Sequence, residues 1–372
     1  MAASCSKVGK KFRITYEYGK DASGKRQRSY ETVETEAEAK RLVAEFNYKQ
    51  QRNLLVMKND ITLADHLRRW MELYVSSNCQ ETTAYGYKNI IENHIIPYMG
   101  DTKLQDLQPA TIQQYYHDLE VSKHLSPNSV RRHHALLRKA LDFALKQQFV
   151  YRNVTEGVVQ PKKRKHMGKS YTPEQVKFLL AKVKETKMDV PVHLAVCLGL
   201  RREEITGLRW EHVDLKNRIL RIVEVRTAAG KNKNIIKEPK TPKSRRTLYI
   251  VDEVYDVLVK HKEWQVKRKA FLGDLYHDSG YVFVRDDGKP YRVNSVSEHF
   301  LDFLRKHGLP KIRLHDLRHT FASVMYEAGV DLKAISEMMG HSDIGTTSRI
   351  YTHMFDNTHK EKLSVMSKIL SS

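Results

Sequence analysis

Apolar and polar residues alternate near the start of the chain. Phe12, Ile14, Tyr16 and Tyr18 fall on one side of a period-two run, Asp21 to Gly24 reads as a turn, and Arg26 to Val33 as the returning strand. The period then lengthens to that of a helix, with Ala39, Leu42, Val43 and Phe46 forming one stripe between about Thr35 and Asn53. Residues 1–58 are expected to form a small sheet capped by one helix. From Thr62 only helical periods remain. Thr62 caps a segment bearing Leu63, Leu67, Trp70 and Tyr74. A second helix is expected from about Glu81 to Ile96, stopping at Pro97. A third begins near Pro109, and a fourth near Ser126 and Pro127, where serine caps and proline suits the first turn. In the fourth, Val130, Leu137, Leu141 and Leu145 point inward while Arg131, Arg132, Arg138 and Lys139 point outward. Four such helices predict a compact helical domain over residues 59–160.

Pro161 to Lys169 has no period and is strongly basic, so 161–169 reads as an interdomain linker lying along phosphates rather than a nuclear localisation signal. Residues 170–372 open on a capping box, Thr172 to Gln175, and mix helices with two or three strands between Arg218 and Val251. The expected fold is multidomain and mainly α with small β-sheets. It comprises an N-terminal sheet plus helix, a four-helix domain and an α+β domain.

Charge adds a partner to this picture. The 372 residues carry 65 Lys plus Arg against 44 Asp plus Glu, a net charge of +21. That excess, spread along the chain, favours a polyanion, with nucleic acid ahead of an anionic membrane surface. Cys5, Cys79 and Cys197 are far apart and form no metal-ligand spacing, which suits a reducing compartment. The polar, basic start from Met1 to Lys11 is not a signal peptide, and no apolar run approaches membrane-spanning length. A soluble intracellular protein is expected, with no membrane partner.

Two motifs mislead. Gly19 to Lys25 resembles a phosphate-binding loop, but Arg26 stands where a Ser or Thr must reach Mg²⁺, and the segment joins two strands. His315 and His319 have a spacing zinc can use, yet Arg318 would repel the cation and no third ligand is evident. No cofactor or metal is expected.

One set of residues is not explained by bulk charge. Leu314, Leu317, Phe321 and Val324 form a helix stripe, with His315 and Arg318 on the adjoining face. Upstream lies Arg201, with Glu204 one turn later, then Lys240 within the run Pro239 to Arg246 between two strand-like segments. Downstream lie Gly340-His341 and, after Arg349-Ile350, Tyr351. Arg201, Lys240, His315-x-x-Arg318, Gly340-His341 and Tyr351, in this order and spacing, closely resemble the tyrosine recombinases, the family of phage and conjugative-transposon integrases and Xer-type resolvases.

The resemblance implies a site-specific DNA recombinase that cuts and rejoins strands through a 3′-phosphotyrosine, integrating or excising a mobile element without metal or ATP. It makes residues 1–58 an arm-type DNA-binding domain, 59–160 the core-binding domain and 170–372 the catalytic domain. Partners would be double-stranded DNA at core and arm sites, further copies of the chain in a homotetramer on paired sites, and optionally an excision factor, all in a bacterial cytoplasm or nucleoid. The implied catalytic residues are Arg201, Lys240, His315, Arg318, His341 and Tyr351. Two planar guanidinium groups, Arg201 and Arg318, would hold the non-bridging oxygens bidentately. Tyr351 is the implied nucleophile, with His315 as proton acceptor. Lys240 would supply a proton to the leaving 5′ oxygen, and His341 would hydrogen-bond the phosphate. Glu204 is expected to orient local structure.

Alternatives stand beside these assignments. Lys243 rivals Lys240, because the register of a hairpin turn leaves either in place, and Tyr326 is near Tyr351 in sequence but sits on the HxxR helix itself. A type IB topoisomerase would use similar chemistry, although the extra N-terminal module and the Gly-His block favour recombination. A non-catalytic DNA-binding regulator would explain the charge but not the ordered set. His359 to Leu370 reads as a short helix with Leu363, Met366 and Leu370 on one face, docking on its own domain or, as the resemblance favours, on a neighbouring subunit.

Overall fold

The computed structural model describes residues 2–20, 24–51, 56, 59–164, 168–230, 233–239 and 242–340. Lys240, His341, Tyr351 and the segment from His359 to Leu370 therefore lie outside the described residues. The chain divides into two compact units, 1–165 and 166–372, with the boundary inside the predicted basic linker.

In the first unit, strands β1 (Ala2–Val8), β2 (Lys11–Lys20) and β3 (Arg26–Val33) form an antiparallel sheet in that order, with Phe12 opposite Val33 and Ile14 opposite Glu31. β1 was not expected from its polar sequence. An edge strand needs only backbone pairing to β2, so it can form without an apolar stripe of its own. Helix α1 (Glu36–Gln51) lays Ala39 and Phe46 on the sheet against Ile14, Tyr16 and Val33, as the period requires.

The helical part of this unit has a separate core built on Leu63, Leu67, Trp70, Ile91, Ile95, Ile112, Tyr115, Leu137 and Leu141. It comprises α2 (Leu63–Trp70), α3 (Glu81–Ile90), α4 (Pro109–Val121) and α5 (Pro127–Lys146). Thr62 Oγ1 caps α2 by accepting from the Asp65 N–H at 3.1 Å, and Ser126 does the same for α5 from Ser129 at 3.2 Å.

Three local expectations change. The second helix does not stop at Pro97. It passes through a wide π-turn at Ile91–Ile95 and continues to Met99, the wider turn lying just where the proline lacks an N–H to donate. A like turn at Met71–Val75 shifts the phase of the first helix, so Val75 is buried while Tyr74 is partly exposed beside Trp70. Leu145 is exposed and Ala144 buried in its place, because at about 100° per residue position 145 has drifted off the stripe set by Val130.

In the second unit α6 (Pro173–Val183), α7 (Asp189–Cys197) and α8 (Arg202–Gly207) precede two small sheets. The predicted capping box is present, with Thr172 Oγ1 accepting from the Gln175 N–H and Gln175 Oε1 from the Thr172 N–H. One sheet runs β4 (Val213–Asp214), β5 (Ile219–Ile222), β8 (Arg246–Tyr249). The other pairs β6 (Val225–Ala228) with β7 (Asn234–Lys237). β7 and β8 thus do not form a hairpin, because they belong to different sheets, and Lys243 lies in a 3₁₀ turn at Pro242–Ser244. Helices α9 (Asp252–Leu272), α10 (Val293–Lys306), α11 (Leu314–Glu327) and α12 (Leu332–Met339) complete the described chain. Leu194, Leu220, Phe300 and Leu317 are at the centre of this unit's core. Mainly helical with small antiparallel sheets, the molecule has the fold class its sequence predicts. No described helix is long and apolar enough to cross a membrane.

Candidate active site

Gly199 sets the first piece of the site. Its φ is +64°, and a Cβ there would lie 2.7 Å from Phe321 Cδ1, so the close approach of α11 needs glycine. The Gly199 carbonyl accepts a hydrogen bond from Arg318 Nη1. Two residues on, Arg201 caps α8 in an extended conformation. Glu204 turns back on it: Oε2 accepts from the Arg201 backbone N–H at 2.8 Å, and Oε1 from Arg201 Nη1 at 2.7 Å.

Glu204 also receives both prongs of Arg246, the first residue of β8, at 3.0 and 2.9 Å. The carboxylate is 1 % exposed. Burial alone would raise its pKa, but the hydrogen bonds and charge of Arg246, then the charges of Arg201 and Arg318, outweigh that and hold it at about 2. Three guanidinium groups thus surround one carboxylate, leaving positive charge in excess.

The last piece is the end of α12. Gly340 closes that helix in the left-handed region, at φ 63° and ψ 46°. Three successive carbonyls there take guanidinium donors from three different elements. Arg246 Nε donates to Met338 O at 2.7 Å, Arg318 Nη2 to Met339 O, and Arg201 Nη2 to Gly340 O at 3.1 Å. These are carbonyls that a helix end leaves free, at the negative end of its dipole. Arg201 and Arg318 are thereby held on adjacent residues, whose Cα atoms are about 3.8 Å apart. Arg318 is buried, whereas the Arg201 side chain keeps 27 % of its surface open.

His315 lies one turn before Arg318 on α11. The start of that helix is fixed by buried Asp316, which accepts from the Arg313 N–H at 2.8 Å and from its guanidinium at 2.6 Å. The His315 ring stands perpendicular to that of His319, with centroids 5.2 Å apart. Partial loss of water, then the positive charges of His319, Arg318 and Arg313, push its pKa down to about 4, with Glu203 opposing.

Of the six candidates, then, Arg201 and Arg318 share one cluster, and His315 stands on the same helix as Arg318. Among the alternatives, Lys243 is exposed, with its backbone carbonyl packed close to Gly340, and Tyr326 packs with Phe321, Ile335 and Met339. Sequence reading did not single out Arg246 or the α12 carbonyls. The only local signal was that Arg246 opens a strand-like run.

An α+β unit with paired guanidinium groups on a buried carboxylate and a helix end defines a class suited to gripping a tetrahedral anion. The family described as phage integrase matches residues 169–358, and the phage integrase N-terminal SAM-like domain matches 62–119. The chain belongs to the phage integrase family of tyrosine recombinases, enzymes that cut and rejoin DNA in the site-specific recombination of mobile elements. It is 28 % identical over 369 residues to a tyrosine recombinase XerC-like protein of Caldanaerobacter subterraneus subsp. tengcongensis, covering 94 % of each chain. Its fold is similar to that of the Tn1549 transposon integrase in complex with a circular intermediate DNA, with TM-score 0.68, 20 % identity, and coverage of 82 % of this chain and 99 % of that one. A lambda integrase tetramer bound to a Holliday junction aligns with TM-score 0.59 and 16 % identity over 91 % of this chain and 95 % of that one.

Proposed function

We propose that this chain binds double-stranded DNA at paired core sites and cleaves each strand by attack of the Tyr351 hydroxyl on phosphorus. The 5′ oxygen leaves and a 3′-phosphotyrosine forms, which a second 5′ hydroxyl reverses to rejoin the strand. The observation that carries this reading is the placing of Arg201 and Arg318 on the adjacent carbonyls of Gly340 and Met339, beside Glu204. Charge held in place before the reaction needs no reorganisation as negative charge builds on the phosphoryl oxygens, and such donors are worth on the order of 3 kcal/mol each. They also supply the charge neutralisation that a divalent cation gives elsewhere.

In this scheme His315, neutral at physiological pH, accepts the proton from Tyr351. Lys240 protonates the leaving 5′ oxygen, and His341 hydrogen-bonds the phosphate. Residues 1–58 bind arm sites and 59–160 the core site. Four protomers assemble on two sites, with the segment after Asn357 linking neighbours. The setting is a bacterial cytoplasm or nucleoid.

The test is a suicide substrate, a nicked core-site duplex, in excess EDTA without nucleotide. The wild-type chain should form a covalent adduct, and Tyr351→Phe should bind the duplex equally but form none. An adduct mapping to another tyrosine, or a first cut that requires Mg²⁺, would overturn the assignment.

A further inference from the structure

We propose that Arg246 is a positioning residue for strand cleavage: by joining the Glu204 carboxylate to the Met338 carbonyl, it fixes Arg201 and the Gly340 segment relative to each other. This rests on the phosphoryl-transfer reading above and adds to it a residue outside the six.

The geometry requires a fork. Nη1 and Nη2 donate to the two oxygens of Glu204, while Nε donates to Met338 O at 2.7 Å. A lysine has one nitrogen and cannot meet three acceptors spread over two elements. The partners are 42 and 92 residues away in sequence, so this one side chain ties β8 to both α8 and the end of α12. Its surroundings leave little freedom: the side chain is 7 % exposed, and a Cβ on Gly340 would lie 3.0 Å from Arg246 Nη1. Glu204 in turn holds Arg201 by its backbone and its guanidinium. Both groups that Arg246 holds in place are thus one contact away from Arg201, which itself bonds Gly340 O.

The charged groups facing Glu204 are Arg201 from its own helix start, Arg246 from β8 and Arg318 from α11. Without Arg246 the buried carboxylate loses two hydrogen bonds and its largest opposing charge, so it takes up a proton at higher pH. A protonated Glu204 no longer attracts the Arg201 guanidinium. A displacement of this kind commonly lowers a rate about 100-fold.

The experiment measures single-turnover cleavage of the nicked duplex against pH for the full chain, with duplex affinity and thermal stability recorded for each variant. R246Q should cleave about 100-fold more slowly at saturating DNA with unchanged affinity, and the acid limb of its profile should move up towards neutral pH. R246K, which keeps a charge by Glu204 but not the fork, should return the acid limb and leave the rate low. In E204Q the further change R246Q should cost much less than in wild type, because the two act as one unit. A wild-type rate in R246K, an unmoved acid limb in R246Q, or additive losses in the double variant would each overturn the inference. Should R246Q fail to fold, R246K decides alone by its rate. Absence of any adduct with the wild-type chain would instead overturn the underlying functional reading.

Discussion

Arg201 and Arg318 have the same chemistry and different surroundings. Arg318 is buried, with its guanidinium donating to carbonyls of Gly199 and Met339. Arg201 is part-open and shares Glu204 with Arg246. Replacing each by alanine should therefore separate catalysis from stability. Both variants are expected to lose cleavage. Arg318→Ala should also lose about 3 kcal/mol in urea unfolding, because it strands two buried carbonyls, whereas Arg201→Ala removes a part-open side chain and leaves Glu204 bonded to Arg246, so it should lose less. Equal losses in the two denaturation curves would show that burial does not rank them. The identities of both arginines were legible in the sequence. Their difference was not, since burial depends on which elements pack above each residue.

At the scale of elements, α4 and α5 carry a buried polar network. The Tyr115 hydroxyl is 2.7 Å from His133 Nδ1, Tyr116 is 3.1 Å from His134 Nδ1, and the His94 and His133 rings meet at 5.1 Å. Burial, then the charge of His94, pushes the His133 pKa down to about 4, and burial also lowers that of His134. In the unfolded chain these rings titrate near 6.5. A folded-state pKa depressed below the unfolded one leaves stability intact above about pH 6.5 and removes it as pH falls towards 4. His133 alone should take away on the order of 2 kcal/mol by pH 5. Melting curves at pH 7.5 and 5 should show the loss, and His133→Gln should flatten it. An unchanged slope in that variant would remove His133 from the account. The amphipathic period reads α5 well at Val130, Leu137 and Leu141. It does not show that His133 and His134 turn inward, because their partners come from another helix.

Across the whole molecule, charge and modular order carry the expectation that separate regions meet separate DNA sites. The basic N-terminal sheet and helix enclose their own small core, distinct from that of the helical part. Removing residues up to Lys58 is expected to leave cleavage at a core site intact while abolishing protection at a second, distant site in a footprinting experiment. Coincident footprints from the truncated and full chains would assign the module another task.

The sequence by itself determined the order of chemical types from Arg201 to Tyr351, and with it the family. It also determined the helix starts at Pro109, Pro127 and Pro173 and the alternation of β2 and β3. These are local properties: a cap, a proline or a period acts over a few residues and is written in them. Tertiary structure alone decided that Arg246 joins Glu204, that β7 and β8 belong to different sheets, and that three arginines end on three consecutive carbonyls of α12. Those pairings span 21 to 139 residues. The guanidinium groups and the helix-end carbonyls satisfy one another only once packing has brought them out of water together, so no local pattern in the chain records the match.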